Sequence, residues 1–181
     1  VRIHSDNFKK LARSRGISAE QLAAAVVRPG LKASDAPSAI SNWMQGRDHP
    51  RCKAQDVRRL AGALGVEVPA IAKFECTFYF HRGSPRKISL ITDLIRGKGY
   101  ETALNLVTFT SKRAAVDVKQ ALMSALADAE QGGADVGKLV VAESVSDEGP
   151  MMKRFQPKDR GRAHRILKRM SHIKIALVQK D

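Results

Sequence analysis

Apolar positions along the chain keep two different periods. Over residues 6–73 they recur every three to four residues, the spacing of one helix face. Phe8, Leu11 and Ala12 follow it until Gly16 interrupts. Ser18 is placed to cap a second helix bearing Leu22, Ala23 and Val26, since its hydroxyl can accept from an otherwise unpaired first-turn N–H. Pro29, Gly30 and the polar stretch to Asp35 predict a loop. Asp35 is expected to cap a third helix, with Pro37 in its first turn, where a missing N–H costs little. Ile40 and Trp43 then face inward and Gly46 ends the helix. A fourth helix is predicted over about residues 53–64, closed by Gly65, and a short fifth after Val66.

At residue 74 the period becomes two. Phe74, Cys76, Phe78 and Phe80 alternate with Glu75, Thr77 and Tyr79, the pattern of a half-buried strand. A domain boundary is placed near Lys73, with no Pro/Gly/Ser-rich linker across it. Ser84 and Pro85 predict a helix start, and Ile88, Ile91, Leu94 and Ile95 its apolar stripe, broken by Gly97 and Gly99. Two further helices are expected over about residues 100–107 and 111–130, the longer one facing inward with Ala115, Val118, Leu122, Ala125 and Ala129 and stopped by Gly132-Gly133. Residues 139–146 and 172–178 read as strands, the second with Ile173, Ile175 and Leu177 alternating. Between them lie a Gly149-Pro150 kink signal and a segment nearly devoid of core formers. Two strands flanking such a stretch predict a long hairpin over about residues 139–178 whose base is packed and whose tip is not.

Charge sharpens this division. Of a net +14, residues 1–73 hold +7, residues 74–149 hold −1 and residues 150–181 hold +8. Two basic blocks flanking a neutral middle point to a polyanion, whether RNA, DNA or an acidic membrane surface. No apolar run approaches the roughly 20 residues needed to span a bilayer, and no secretory signal pattern opens the chain, so membrane insertion is not expected. A native start upstream of Val1 is left open. Cys52 and Cys76 stand without a CxxC pattern or histidines at ligand spacing, which reads as reduced thiols and no metal site.

Within the second basic block, Lys153, Arg154, Lys158, Arg160, Arg162, Arg165, Lys168 and Arg169 crowd into 17 positions. Alone such a segment repels itself and would be disordered. Phosphates would neutralise it and release counterions, and guanidinium forks match phosphate and stack on bases. Charge density by itself is equally compatible with a solvated, flexible loop. The wording of the segment goes further. Asp147-Glu148-Gly149-Pro150, Met152-Lys153-Arg154, Gly161-Arg162, Ile166-Leu167-Lys168-Arg169 and Ser171-His172-Ile173 resemble, in order, the hairpin of the bacterial large ribosomal subunit protein twenty-two family. So do Ser84-Pro85-Arg86-Lys87, Asp93-Leu94-Ile95-Arg96-Gly97-Lys98 and Ala103-Leu104. The resemblance covers about residues 78–180.

That resemblance implies a structural constituent of the large ribosomal subunit, not an enzyme, that binds 23S rRNA, supports assembly and lines the polypeptide exit tunnel with its basic hairpin. The implied tip region runs from Met152 through Lys153, Arg154, Lys158, Arg160 and Gly161 to Arg162, with Arg165, Lys168, Arg169 and His172 on the return. From the globular part, Arg82, Ser84, Arg86, Lys87, Lys98, Lys112 and Arg113 would contact rRNA. Neighbouring large-subunit proteins are the other implied partners, the cytoplasmic ribosome the implied location, and no cofactor is implied. The chain departs from the family before Ser84, where a basic, alanine-rich lead-in is usual, and at Asp159, where a basic or small residue is common.

The N-terminal part carries a second resemblance. Ser38-Ala39-Ile40-Ser41-Asn42-Trp43, Gly46-Arg47, Pro50, Leu60-Ala61 and Ala63-Leu64-Gly65-Val66 look like the Cro/phage-repressor type of helix-turn-helix over residues 7–72. It implies a recognition helix bearing Ile40 and Trp43, with Ser38, Ser41, Asn42, Gln45, Arg47 and Arg51 as possible nucleic-acid contacts. However, the loop before that helix is longer than a compact turn. The base-reading positions would be Ala36, Pro37, Ser38 and Ala39, which make no bidentate contact with a base. A sequence-specific DNA-binding regulator is therefore one alternative, and a five-helix docking or RNA-backbone module another. His164 and His172 read as RNA contacts, since no carboxylate is spaced to orient either for acid–base work. Glu143, Asp147 and Glu148 read as the polar face of a strand. The Phe-rich strand reads as core on one face, with an RNA stacking platform as the competing reading. The expected class is α+β: a small α/β domain with a long extended β-hairpin, preceded by an all-α five-helix helix-turn-helix domain, divided as 1–73 and 74–181.

Overall fold

A computed structural model describes residues 1–180. The chain is mixed helix and strand. Its elements run β1 (Arg2–Ile3), α1 (Ser5–Ser14), α2 (Ala19–Val26), α3 (Ala36–Met44), α4 (Ala54–Leu64), α5 (Val68–Ile71), β2 (Ala72–His81), α6 (Pro85–Ile95), α7 (Tyr100–Phe109), α8 (Ala114–Gln131), β3 (Leu139–Pro157) and β4 (Ala163–Gln179). The strands hydrogen-bond in the order β1-β2-β4-β3. β1 pairs antiparallel with β2, Arg2 opposite Lys73 and Ile3 opposite Ala72.

Two compact units are present. The first holds Val1–Glu75, Leu126–Val140 and the chain from Leu177 onward. Helices α1 to α5 lie where the periodicity predicts them. Ser18 and Gln21 form a reciprocal capping box on α2, Gln21 N–H giving to the Ser18 hydroxyl and Ser18 N–H giving to the Gln21 amide oxygen. Gly65 ends α4 in the left-handed conformation at φ 61°, which glycine adopts without a Cβ clash. Phe8, Leu22, Ile40, Leu60, Leu64, Ile71 and Phe74 are completely buried and form the core. Trp43 lies among them, its indole N–H giving to the Pro50 carbonyl at 2.7 Å. Asp35 departs from expectation: it precedes α3 but makes no capping bond, and its carboxylate instead takes the Ser34 hydroxyl at 3.1 Å.

The second unit holds Cys76–Ala125 and Val141–Ala176. Ser84 holds the cap position of α6 but makes no side-chain capping bond, contrary to expectation, and Pro85 occupies the first turn. The buried stripe is Ile88, Ile91, Thr92 and Ile95; Leu94, expected to share it, is turned outward and 38% exposed. Val118, Ala121, Leu122 and Ala125 bury one face of α8. The Arg96-Gly97-Lys98 corner after α6 anchors the hairpin base. Gly97 N–H gives to Val141 O and Val141 N–H to Lys98 O, both at 2.9 Å, and the Arg96 guanidinium grips Ser144 O at 2.6 and 3.2 Å.

Two expectations about strands are corrected. β2 starts at Ala72, not 74, and its alternation lapses: Phe78 is half-buried and Phe80 is 56% exposed. Phe80 has φ 57°, and that left-handed residue breaks the period-two geometry and turns its ring out of the core. The hairpin has no irregular middle either. β3 runs unbroken through Gly149-Pro150 to Pro157, so the expected kink is absent. At Gly149 the strand passes so close to its neighbour that a Cβ would lie 3.2 Å from the Met170 carbonyl carbon, which accounts for a glycine there.

Candidate nucleic-acid interface

The hairpin turns at 158–162. Lys158 N–H gives to Arg162 O at 2.6 Å, and the turn between them is made by Arg160 at φ 54° and Gly161 at φ 71°. Asp159 lies beside Arg160 at 3.8 Å, both almost wholly exposed. Met152, Lys153 and Arg154 sit back along the outgoing arm of β3, and Arg165, Lys168 and Arg169 along the returning arm of β4. The implied tip segment therefore splits into a true turn and an arm.

Every residue from Lys153 to Arg165 is exposed, as are Lys168 and Arg169. Lys153, Lys158, Arg162, Arg165, Lys168 and Arg169 take part in no ion pair among the described residues. Cations without counter-charge on a paired, extended ribbon are held in place along its two arms and its turn. That is the arrangement in which phosphate neutralisation gains most, because little chain entropy is lost on binding.

Arg82, Arg86, Lys87, Lys98, Lys112 and Arg113 are exposed as well, and Ser84 is half-buried. The structure brings only some of these to the hairpin. Arg82, Ser84, Met152, Leu167, Lys168 and Arg169 line one open hollow of about 480 Å³. It places cations from the β2–α6 loop and from β4 around a space beside the α6 N-terminus, whose dipole adds to the same sign of potential.

Sequence reasoning favoured core for the Phe-rich strand over a stacking platform and did not foresee that Tyr79 and Phe80 gather with His172 in an exposed cluster at the hairpin base. Tyr79 and Phe80 are 68% and 56% exposed. Phe80 is held in its left-handed conformation, which costs a non-glycine residue about 1–2 kcal/mol, by an N–H bond of 3.0 Å to His172 Nδ1. The His172 ring stands edge-on to both, with centroids 5.4 Å from Tyr79 and 5.0 Å from Phe80. Next along β2, His81 Nε2 meets the Asp117 carboxylate at 3.2 Å. On the arms, Phe155, Met151 and Leu167 are 79%, 40% and 43% exposed. The available signal was the presence of large apolar residues in a stretch that has no core to join.

In the helical unit, Ser38, Ser41, Gln45, Arg47 and Arg51 are exposed, whereas Ala36 and Ala39 are completely buried and belong to the core. Asn42 is half-buried and gives its amide to His49 O at 2.9 Å, and the Gln45 amide is directed at Ser41 Oγ, 3.5 Å away. The two side chains best able to read a base thus have internal partners. Cys52 is buried, and burial with the nearby Asp56 carboxylate pushes its thiol from 9.0 up to about 12. It is not a nucleophile at neutral pH. No cluster of metal-binding side chains occurs among the described residues, and no helix among them is long and apolar enough to cross a membrane.

Comparison with known proteins follows the same division. Residues 77–178 match the family described as ribosomal protein L22p/L17e. The large ribosomal subunit protein uL22 of Magnetococcus marinus is 52% identical over 102 residues, which are 56% of this chain and 90% of that relative. The family match begins within β2 and takes in the whole hairpin, leaving α1 to α5 outside it. The chain belongs to the ribosomal protein L22p/L17e family and is a large-subunit ribosomal protein.

Proposed function

We propose that the protein binds 23S rRNA, supports assembly of the large subunit and lays its hairpin along the wall of the polypeptide exit tunnel. The observation that carries this is the ribbon itself: six exposed cations without ion pairs among the described residues, four on two paired strands and two at the turn that joins them, with the strands anchored at their base by Gly97, Val141 and Arg96. A flexible basic loop would need none of that anchoring. Lys158, Arg160, Gly161 and Arg162 reach furthest. Lys153, Arg154, Arg165, Lys168 and Arg169 meet phosphates along the arms. Arg82, Ser84, Arg86, Lys87, Lys98, Lys112 and Arg113 extend the contact over the globular part. Residues 74–181 act as the rRNA-binding domain, and residues 1–73 as a docking or RNA-backbone module of helix-turn-helix type. Neighbouring large-subunit proteins complete its surroundings.

Sedimentation of ribosomes tests the reading. The protein is expected in the large-subunit fraction at low salt, with partial release as salt rises. A protein that stays in the free fraction at low salt overturns it. For residues 1–73, footprinting on genomic fragments with excess rRNA competitor is expected to show no discrete protected site. A persistent one would replace the docking reading with DNA regulation.

A further inference from the structure

We propose that Tyr79 and Phe80, buttressed by His172, form a stacking platform for one unpaired nucleobase of RNA at the hairpin base. The proposal rests on the rRNA-binding reading and names a chemical contact within it. Four observations support it. Both rings are more than half exposed, although large aromatic rings are ordinarily drawn into a core. Within the trio no two rings stack face to face: Tyr79 and Phe80 are tilted 44° at 6.4 Å, and His172 meets them at 64° and 83°. An edge contact covers at most one face of a ring, and the exposure of Tyr79 and Phe80 leaves ring surface open, which is what a base needs. The outward pose is also held rather than incidental, because the left-handed Phe80 backbone is fixed by its N–H bond to His172 Nδ1.

The fourth observation is charge. Arg82 follows Phe80 by two residues and Arg169 precedes His172 by three, and both line the hollow beside the α6 N-terminus. A nucleotide carries a flat apolar face and a phosphate. Exposed aromatic rings and a cationic hollow lined by Arg82 and Arg169 thus lie within a few residues of one another along β2 and β4, and together they offer both complements. An apolar protein side chain would use the rings but leave the neighbouring cations without purpose. The platform favours no particular base, because every base has a π-face and no side chain of the trio supplies a bidentate hydrogen-bonding edge.

The test uses the full chain and two RNA hairpins, one with a single bulged 2-aminopurine and one fully paired. Wild-type protein is expected to bind both through phosphates, to prefer the bulged RNA and to quench its 2-aminopurine fluorescence. Tyr79→Ala with Phe80→Gly is expected to weaken binding to the bulged RNA by about 10-fold, abolish the quenching and leave the paired RNA and the salt dependence unchanged. Glycine is chosen at Phe80 because it accepts positive φ without strain. Unchanged binding of the paired RNA by the double variant shows that folding is not the cause, and Tyr79→Phe, which keeps the ring, should retain the quenching. Equal loss on both RNAs, or unchanged quenching in the double variant, overturns the platform. So does intact RNA binding with loss of incorporation into subunits, which would mean that the rings pack on protein. If wild type binds neither RNA, the rRNA reading itself fails.

Discussion

The two basic blocks carry almost the same surplus, +7 over residues 1–73 and +8 over residues 150–181, yet deploy it differently. In the helical block several cations are used internally. Arg28 lies against the buried Asp56, its Nε 3.0 Å from one carboxylate oxygen, and its terminal nitrogen gives to Arg51 O. Arg2 pairs with Asp48, Arg15 grips Leu64 O, and Arg59 gives to Val27 O. In the hairpin, six cations have no ion pair among the described residues, and the acidic neighbour at the turn, Asp159, is itself exposed. Net charge therefore says little about what a segment does. What matters is whether the structure has already supplied the counter-charge.

The comparison can be broken from either side. The largest effect is expected at Asp56→Ala. It strands a mostly buried guanidinium and removes the acceptor of the Lys53 N–H bond, 2.9 Å, that starts α4. Loss of one partner of a buried pair costs about 3–5 kcal/mol, read as a shift of the denaturant midpoint. RNA affinity of the folded fraction should hardly move. The mirror experiment replaces Lys153, Lys158, Arg162, Arg165, Lys168 and Arg169 by glutamine. Stability should stay within about 0.5 kcal/mol, as for other exposed positions. RNA affinity should fall by about 100-fold or more, and the salt slope should shrink by roughly 4–5 if each cation meets one phosphate. A large stability loss there would mean that the hairpin charges are structural after all.

A smaller effect distinguishes the blocks by pH. The folded pKa of Cys52 is raised to about 12 from 9.0. Below 9 both states hold the proton and nothing changes. Between 9 and 12 the unfolded state releases it and the folded state retains it, so stability falls as pH rises. Cys52→Ser should lack this decline, a difference of about 1 kcal/mol at pH 10 in urea melts. RNA binding through guanidinium groups should not share that pH dependence. The smallest effect is expected at Gly161→Ala. Alanine at φ 71° strains the turn by about 1 kcal/mol, so hydrogen exchange near Arg162 should quicken and global stability should fall by no more than that amount.

Much of the helical unit could be read from sequence because its signals are local. The Ser18–Gln21 box, Gly65 and the three-to-four spacing act within one or two turns, and each helix follows them. Asp35 shows the limit: a good capping residue in the right place is diverted by Ser34 beside it. In the second unit the failures concern relations between distant segments. Gly149-Pro150 looks like a break until a partner strand runs beside it, and Gly149 is then required by the approach of Met170. Phe80 looks like core by alternation until one left-handed residue, tied to His172 some ninety positions away, turns the ring outward. Met152 falls in the tip region that the family resemblance implies, yet the turn is made by Arg160 and Gly161. The hairpin itself was legible through its motifs, and the interface it presents became visible only once exposure and ion pairing could be assigned to individual side chains.

The central claim is that the uncompensated hairpin is filled in by RNA. A photo-crosslinking side chain at Phe155, 79% exposed on the outgoing arm, tests it most directly in intact large subunits. Crosslinks to 23S rRNA are expected. Crosslinks solely to protein, or a side chain that stays unlinked and open to a solvent-borne label, would contradict the account.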